Sequence, residues 1–133
     1  MSKQLPRFII LDDDVAGLFV GRKIISTSLS EADVRTFSDP SEGMEFIRSE
    51  YPGNNSSGYA ILFLDIYMPG MNGWEFLEQF EELDGEIKSR IRIIIFSHSM
   101  DERDKERALK NKNVSQYIVK PLTKEFISKM FPS

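Results

Sequence analysis

An aspartate follows directly after a predicted buried strand. Residues 61–64 are four consecutive apolar residues, which predict a strand covered on both faces, and Asp65 comes next. Pro69, Gly70 and Gly73 then favour a loop before the following helix. The carboxyl end of such a strand is where open α/β sheets bind their ligands. Asp65 is therefore a candidate nucleophile or a candidate metal ligand, and its own surroundings leave both readings open.

Other polar residues also follow predicted strands. They are Asp12 and Asp13 after residues 8–11, Ser97 after 91–96, and Lys120 after 114–119. The strand ends of a parallel sheet share one edge, so three carboxylates would gather there and repel one another unless a cation lies between them. Oxygen ligands without cysteine suit Mg²⁺. Lys120 adds a positive charge and the Ser97 hydroxyl can donate a hydrogen bond, so the set is suited to receive a phosphoryl group on a carboxylate.

Strands and helices are predicted to alternate along the chain. The strands are expected at 8–11, 32–37, 59–64, 91–96 and 114–119, and the helices at 15–29, 40–50, 74–84, 100–111 and 122–130. Without hairpin signals between them, these elements predict a parallel α/β sheet with helices on both faces. Residues 51–58 are polar and turn-forming, and we expect a surface loop there rather than a linker between domains.

Helix starts and apolar stripes support these elements. Asp14 is suited to cap the first helix, and Pro40 marks the start of the second. Apolar residues recur at helical spacing and are the core candidates: Leu18, Phe19, Ile25 and Leu29, then Met44, Phe46 and Ile47, then Trp74, Leu77 and Phe80, and finally Ala108 and Leu109.

Composition is that of an ordinary soluble domain. The 133 residues are 41% hydrophobic and 29% charged, a length and balance suited to one domain. A net charge of −4 makes nucleic acid an unexpected partner. Cysteine is absent, which excludes disulfides and thiolate metal sites. Neither a signal peptide nor an apolar run of about 20 residues is present, so we expect a cytoplasmic protein without a membrane partner.

Four motifs together resemble the receiver domains of two-component response regulators. They are Leu11-Asp12-Asp13-Asp14, residues 64–73 around Asp65, Ile95-Phe96-Ser97, and residues 117–121 ending in Lys120-Pro121. The resemblance implies a flavodoxin-like (CheY-like) fold, with five parallel strands in the order 2-1-3-4-5 and five helices on both faces. It implies a stand-alone receiver over residues 1–133, with a core of about 7–131. The residues after Lys120 suffice for one helix, so we expect no output domain.

The resemblance assigns the acidic residues. Asp65 would be the phosphoacceptor, taking its phosphoryl group from a histidine kinase or a phosphotransfer protein. Asp13 would bind Mg²⁺ directly and Asp12 mainly through water, and the backbone carbonyl of Tyr67 would complete the protein ligands. Such a chain is not an enzyme on other molecules, since it catalyses only its own phosphoryl transfer and dephosphorylation. It would signal through protein contacts, as a monomer or a phosphorylation-dependent dimer.

The resemblance also assigns the switch. Lys120 would contact an oxygen of the aspartyl phosphate, Ser97 would swing toward the phosphoryl group, and Tyr117 would follow by turning inward. His98 stands where the family often has a small residue, and its ring at the pocket mouth predicts a longer-lived phosphoryl group. Tyr67 occupies another position that tunes hydrolysis, in a direction that the sequence leaves open.

Two other functions compete with this reading. A haloacid-dehalogenase-like phosphohydrolase would use Asp12 of Asp12-Asp13-Asp14-Val15 as its nucleophile, although the chain is short for such an enzyme and has no cap domain. The second alternative is a receiver-like interaction module that is never phosphorylated. Such a module would not need to keep all five polar residues at the strand ends, namely Asp12, Asp13, Asp65, Ser97 and Lys120.

The predicted helix at 100–111 carries a run of seven charged residues, 101–107. Such a run is usually a solvated helix face, and its few apolar anchors also predict low local stability. We therefore expect the surface from this helix through Tyr117 to the last helix to be the partner-binding face.

Overall fold

The computed structural model describes residues 5–51 and 58–131. Its elements, in chain order, are β1 (Arg7–Leu11), α1 (Val15–Ser28), β2 (Val34–Phe37), α2 (Pro40–Glu50), β3 (Ala60–Leu64), α3 (Gly73–Glu81), α4 (Gly85–Ser89), β4 (Ile91–Ser97), α5 (Glu102–Lys110), β5 (Val114–Val119) and α6 (Lys124–Met130). The strands form one parallel sheet in the order β2-β1-β3-β4-β5. The predicted flavodoxin-like fold and strand order are confirmed.

The strand register brings the acidic residues to the same level. Leu11 of β1 pairs with Phe37 on one side and with Leu64 on the other. The pairing continues one residue further, because the Asp12 N–H donates to the Phe37 carbonyl at 3.2 Å and the Asp65 N–H donates to the Leu11 carbonyl at 3.0 Å. Asp12 and Asp65 therefore leave neighbouring strands side by side.

Both faces of the sheet are covered, which is why the central strands are apolar without alternation. On one face, Ile9 and Leu62 pack with residues of α2, α3, α4 and α5. On the other face, Phe8 and Phe63 pack with residues of α1 and α6. Burying a side chain as large as Phe63 stabilises the fold by about 1.5–3 kcal/mol. The strands that carry the acidic residues are thus anchored on both sides.

Side-chain caps begin the helices. Asp14 accepts a hydrogen bond from the Ala16 N–H, as predicted, and Asp39 caps α2 ahead of Pro40. At α3 the cap is reciprocal, because Asn72 accepts from the Glu75 N–H while the Glu75 side chain accepts from the Asn72 N–H. Such caps contribute about 1 kcal/mol each.

A sixth helix is present where five were predicted. The third helix ends at Glu81, and Gly85–Ser89 forms the separate α4 with Asp84 as its cap. Five residues are too few to show a helical period in the sequence. Its one buried residue, Ile87, adds to the core cluster beneath α3.

Some predicted core residues lie at the surface. Phe19 is 66% exposed and Leu109 is 46% exposed, whereas Leu18 and Ala108 beside them are buried. Successive helical residues point about 100° apart, so the neighbour of a core residue turns outward when the buried stripe is narrow. Phe46 is an intermediate case that packs against Phe37.

Apart from the earlier end of α3, element ends differ from the predictions by at most two residues. β2 begins at Val34 rather than at residue 32, and α5 is shorter at both ends than the predicted helix. In the predicted surface loop, Tyr51 is fully buried, and residues 52–57 lie outside the described part of the chain. Among the described residues, no helix combines the length and apolar character that crossing a membrane requires.

Candidate functional site

Lys120 joins two buried carboxylates at the carboxyl edge of the sheet. Its Nζ lies 2.8 Å from Asp12 Oδ2 and 3.1 Å from Asp65 Oδ2. The three side chains are only 8%, 2% and 7% exposed, respectively. Buried charges of this kind are tolerated when they are paired and hydrogen-bonded. The sequence predicted this meeting of three strand ends, and the structure places the three groups in contact.

Backbone groups hold the second oxygen of each carboxylate. The Asp14 N–H donates to Asp12 Oδ1 at 3.0 Å, and the Tyr67 N–H donates to Asp65 Oδ1 at 3.3 Å. Each carboxylate is therefore bound by the lysine on one oxygen and by the loop that follows it on the other. This arrangement fixes both groups before any ligand binds.

The third aspartate lies on the solvent side of the pair. Asp13 is exposed, and each of Asp12, Asp13 and Asp65 offers a carboxylate oxygen within 4.8 Å of the others. A set of hard oxygen donors that is partly open to water fits Mg²⁺, which keeps several of its water ligands. The residues present therefore fit the predicted ion, while the Tyr67 carbonyl as a fourth protein ligand stays a prediction.

Burial and charge act against each other at this site. Burial raises the pKa of Asp65; Lys120 opposes this shift, and Asp12 adds to it. For Lys120, burial works to lower the pKa, but its hydrogen bond to Asp12 and the charges of both aspartates outweigh it, so the pKa is raised. Lys120 is thus held as a cation between two acids.

The lysine is itself positioned by its neighbours. Its backbone N–H donates to the Ser97 carbonyl at 2.9 Å, which continues the pairing of β4 with β5. Its Nζ lies 4.8 Å from the centre of the Phe96 ring, a cation–π distance. This role of Phe96 was not predicted, because an apolar residue within a strand is typical of the core.

Ser97 and Tyr117 share one neighbour. Ser97 is fully buried, and its Oγ accepts a hydrogen bond from the Ser99 N–H at 3.1 Å. Tyr117 is half-buried, packs against the core cluster, and donates its hydroxyl to the Ser99 carbonyl at 2.8 Å. Tyr117 thus already lies against the loop after Ser97, and the predicted movements of both side chains stay predictions.

The side chain of Tyr67 reaches toward α5. Its side chain is 56% exposed, and its hydroxyl donates to Asp104 Oδ2 at 2.6 Å. This hydrogen bond raises the pKa of Tyr67 to about 12. Ser99 Oγ donates to the same Asp104 oxygen at 2.7 Å. Neither Asp104 nor Ser99 was among the predicted site residues. Nothing in the charged run 101–107 singles out Asp104, and Ser99 is an ordinary polar loop residue in the sequence.

Two glycines make room for the site. A Cβ at Gly73 would lie 2.7 Å from the Asp65 carbonyl oxygen and 2.7 Å from Ile66 Cα. A Cβ at Gly17 would lie 2.9 Å from Asp12 Oδ2. The α3 and α1 backbones can approach the two aspartates this closely only because these positions carry no side chain.

A cleft opens beside the lysine. It has a volume of about 250 Å³, and its lining includes Asp12, Val20, Phe96, His98 and Lys120. His98 is exposed and lines this cleft together with Asp12 and Lys120. Its effect on the lifetime of a phosphoryl group stays a prediction.

Fold and site together define a class of protein: a doubly wound parallel α/β domain with acids and a lysine at its carboxyl edge. A family model described as the response regulator receiver domain matches residues 8–131. The chain belongs to this family, whose members are receivers of two-component systems. Receiver domains are generally signalling modules rather than enzymes.

Relatives agree with this placement. The chain is 34% identical over 132 residues to the nitrate/nitrite response regulator protein NarL of Escherichia coli K12, and the match covers 97% of this chain and 55% of NarL. It is 26% identical over 125 residues to the probable C4-dicarboxylate response regulator DctR of Bacillus subtilis, covering 94% of this chain and 50% of DctR. The chain therefore spans about half the length of these two relatives.

Solved structures share the fold over nearly the whole chain. A response regulator receiver protein from Dyadobacter fermentans superposes with a TM-score of 0.82 at 32% identity, covering 97% of this chain and 100% of that one. A two-component response regulator from Cytophaga hutchinsonii gives a TM-score of 0.85 at 24% identity, covering 97% of this chain and 96% of that one.

Proposed function

We propose that this chain is a phosphorylation-activated switch of a two-component phosphorelay, with Asp65 as its phosphoacceptor. The observation that carries the proposal is the contact of the Lys120 ammonium with both Asp12, at 2.8 Å, and Asp65, at 3.1 Å. Membership in the receiver family supports it. The donor would be a phosphohistidine on a histidine kinase or a phosphotransfer protein.

The proposed step moves one phosphoryl group between two proteins. A carboxylate oxygen of Asp65 forms a bond to phosphorus while the bond from phosphorus to the donor's imidazole nitrogen breaks, and that nitrogen keeps the electron pair. The product is an acyl phosphate on Asp65. Lys120 would neutralise a phosphoryl oxygen, and the Ser97 hydroxyl would donate to another.

Asp12, Asp13 and Asp65 would hold Mg²⁺, together with the backbone carbonyl of Tyr67. Bound there, the ion would offset negative charge on the phosphoryl oxygens. The oxygen-only donor set of the three aspartates supports this choice of metal. The catalysis would be limited to the chain's own phosphorylation and dephosphorylation.

The signal would leave through protein contacts on the surface formed by α5, β5 and α6. Ser97 and Tyr117 would link that surface to Asp65, because both contact Ser99 at the start of the segment that leads into α5. The partner would be a protein rather than nucleic acid or a membrane. The chain would act there as a monomer or as a phosphorylation-dependent dimer in the cytoplasm.

Phosphorylation by a small donor tests the proposal. Wild type and Asp65→Asn are incubated with acetyl phosphate, with and without Mg²⁺, and their intact masses are measured by mass spectrometry. One Mg²⁺-dependent phosphoryl adduct that the variant lacks is expected. An adduct that persists in Asp65→Asn would move the nucleophile elsewhere, with Asp12 the first position to substitute. No adduct on folded wild type, even with a phosphorylated histidine protein as donor, would favour an interaction module that is never phosphorylated.

A further inference from the structure

One carboxylate oxygen of α5 receives hydrogen bonds from two different loops. Asp104 Oδ2 accepts from the Tyr67 hydroxyl at 2.6 Å and from Ser99 Oγ at 2.7 Å. Asp104 is only partly exposed, unlike most of the charged residues beside it. It lies in the first turn of α5, where the partial positive charge of the helix end favours a carboxylate. Hydrogen bonds to an ionised acceptor are stronger than those between neutral groups.

Both loops lead back to the proposed site. Tyr67 lies two residues after Asp65, and its N–H donates to Asp65 Oδ1 at 3.3 Å. Ser99 lies two residues after Ser97, and its N–H donates to Ser97 Oγ at 3.1 Å. Asp104 therefore binds the side chains of the two residues whose backbone N–H groups hold the phosphoacceptor and the hydroxyl.

We propose that Asp104 is a positioning residue for phosphoryl transfer, acting through Tyr67 and Ser99 on Asp65 and Ser97. This inference rests on the proposed function. Without the Asp104 carboxylate, the loops after β3 and β4 lose the residue that binds them both. The Asp65 carboxylate and the Ser97 hydroxyl are then no longer held in a fixed position relative to each other. Small misplacements of reacting groups slow a reaction strongly, because a productive approach requires ångström-level alignment.

A purely structural role for Asp104 would be to stabilise the start of α5. That role depends on a carboxylate near the helix end and is indifferent to the Tyr67 hydroxyl. A positioning role requires that hydroxyl, so the effects of Tyr67→Phe and Asp104→Ala must overlap rather than add. Asp104→Asn keeps an oxygen acceptor at the same place and must restore most of the rate.

The test compares rates of phosphorylation by acetyl phosphate in Mg²⁺, measured by intact mass. Asp104→Ala is expected to react about three- to tenfold more slowly than wild type. Tyr67→Phe is expected to react faster than Asp104→Ala but more slowly than wild type. The double variant is expected to react no more slowly than Asp104→Ala alone, because the two effects overlap. Asp104→Asn is expected to be slowed by less than about twofold. Glu42→Ala is the matched control, since Glu42 is an exposed carboxylate at the same third position of α2.

Amide spectra of the unphosphorylated variants supply a second readout. Tyr67→Phe is expected to shift the amide resonances of Ser97 and Ser99, because Asp104 links Tyr67 to Ser99 through hydrogen bonds. Glu42→Ala is expected to leave these resonances in place. Wild-type rates in Asp104→Ala, or slowing that adds in the double variant, would overturn the positioning role. Failure of wild type itself to accept a phosphoryl group would instead overturn the proposed function, so the two failures are distinguishable.

Discussion

At the scale of single residues, the site depends on charge balance in a buried place. Asp12 and Asp65 would repel each other at the sheet edge, and the Lys120 ammonium between them offsets that repulsion. Phe96 keeps the lysine over its ring, which limits where the ammonium can move. The same lysine would then be in place for the negative phosphoryl oxygens.

His98→Ala is expected to shorten the lifetime of the phosphoryl group, because a smaller side chain opens the cleft beside Lys120 to water. A change of about 1 kcal/mol in the barrier corresponds to roughly fivefold in rate, and we expect an effect of that order. The measurement is decay of the adduct after the donor is removed. Tyr59→Ala serves as control, since it removes an exposed ring next to the opposite end of β3. An unchanged decay rate in His98→Ala would mean that the ring has no influence on access.

Gly73→Ala is expected to destabilise the protein by about 1–3 kcal/mol, because the added Cβ meets rigid backbone that must shift. The measurement is the free energy of unfolding in denaturant. Gly85→Ala, where a Cβ would meet nothing within 4 Å, is the matched control and should be neutral or stabilising. Equal effects of the two substitutions would show that the close approach at Asp65 is not limiting.

At the scale of elements, α5 has little apolar anchoring compared with the central strands. Its one buried residue is Ala108, while the central strand β3 is buried throughout. Beyond the Asp104 hydrogen bonds, it is tied to α3 by Arg107, whose guanidinium lies 4.1 Å from the centre of the Trp74 ring. Few apolar contacts and several polar ones suit an element that can change position.

Hydrogen exchange should reflect this difference. The protection factors of the α5 amides are expected to be at least about tenfold lower than those of β1 and β3, because local opening of α5 exposes little apolar surface. Exchange followed by mass spectrometry or NMR on the unphosphorylated protein measures this. Protection in α5 equal to that of the central strands would contradict its role as a movable surface.

A second prediction at this scale concerns Glu81, which joins α3 to its neighbours. Hydrogen bonds from Lys88, Lys112 and Asn113 lower its pKa from an ordinary 4.5 to about 2. A lowered folded-state pKa stabilises the fold above the unfolded-state value, and this stabilisation is lost as the pH falls through the folded-state value.

The stability difference between wild type and Glu81→Gln is therefore expected to shrink between about pH 4.5 and pH 2. Unfolding midpoints of both proteins across that pH range measure this difference. Subtracting the variant's stability from that of wild type cancels the effect of the other titrating carboxylates. A difference that stays constant with pH would show that the three hydrogen bonds do not persist in solution.

At the scale of the whole molecule, metal binding should couple to folding. The three aspartates come from two strand ends that meet only in the folded sheet, so an ion held there stabilises the native state alone. At a Mg²⁺ concentration one hundred times the dissociation constant, the expected stabilisation is about 2.7 kcal/mol.

Thermal unfolding with Mg²⁺ and with EDTA measures this coupling. Asp13→Asn is expected to lose most of the Mg²⁺-dependent rise in the midpoint, and since Asp13 is exposed its removal should leave the fold intact. The same rise in Asp13→Asn as in wild type would place the ion elsewhere.

The residue pattern by itself determined the parallel sheet and the edge at which Asp12, Asp65 and Lys120 meet, whereas the strand order followed from the resemblance to receiver domains. Its signals are local: apolar runs, helix caps such as Asp14, and polar residues directly after strands. A parallel sheet then gathers every strand end at one edge, so local patterns suffice to predict a distant meeting.

Only the tertiary structure decided which side chains from separate elements touch. The bond from Tyr67 to Asp104 spans 37 positions of sequence, and the stacking of Lys120 on Phe96 depends on how β4 and β5 lie together. Likewise, the outward turn of Phe19 follows from the width of the stripe that the sheet covers. Such contacts depend on orientations within a few ångströms, and a periodic pattern of residue types carries no information at that distance.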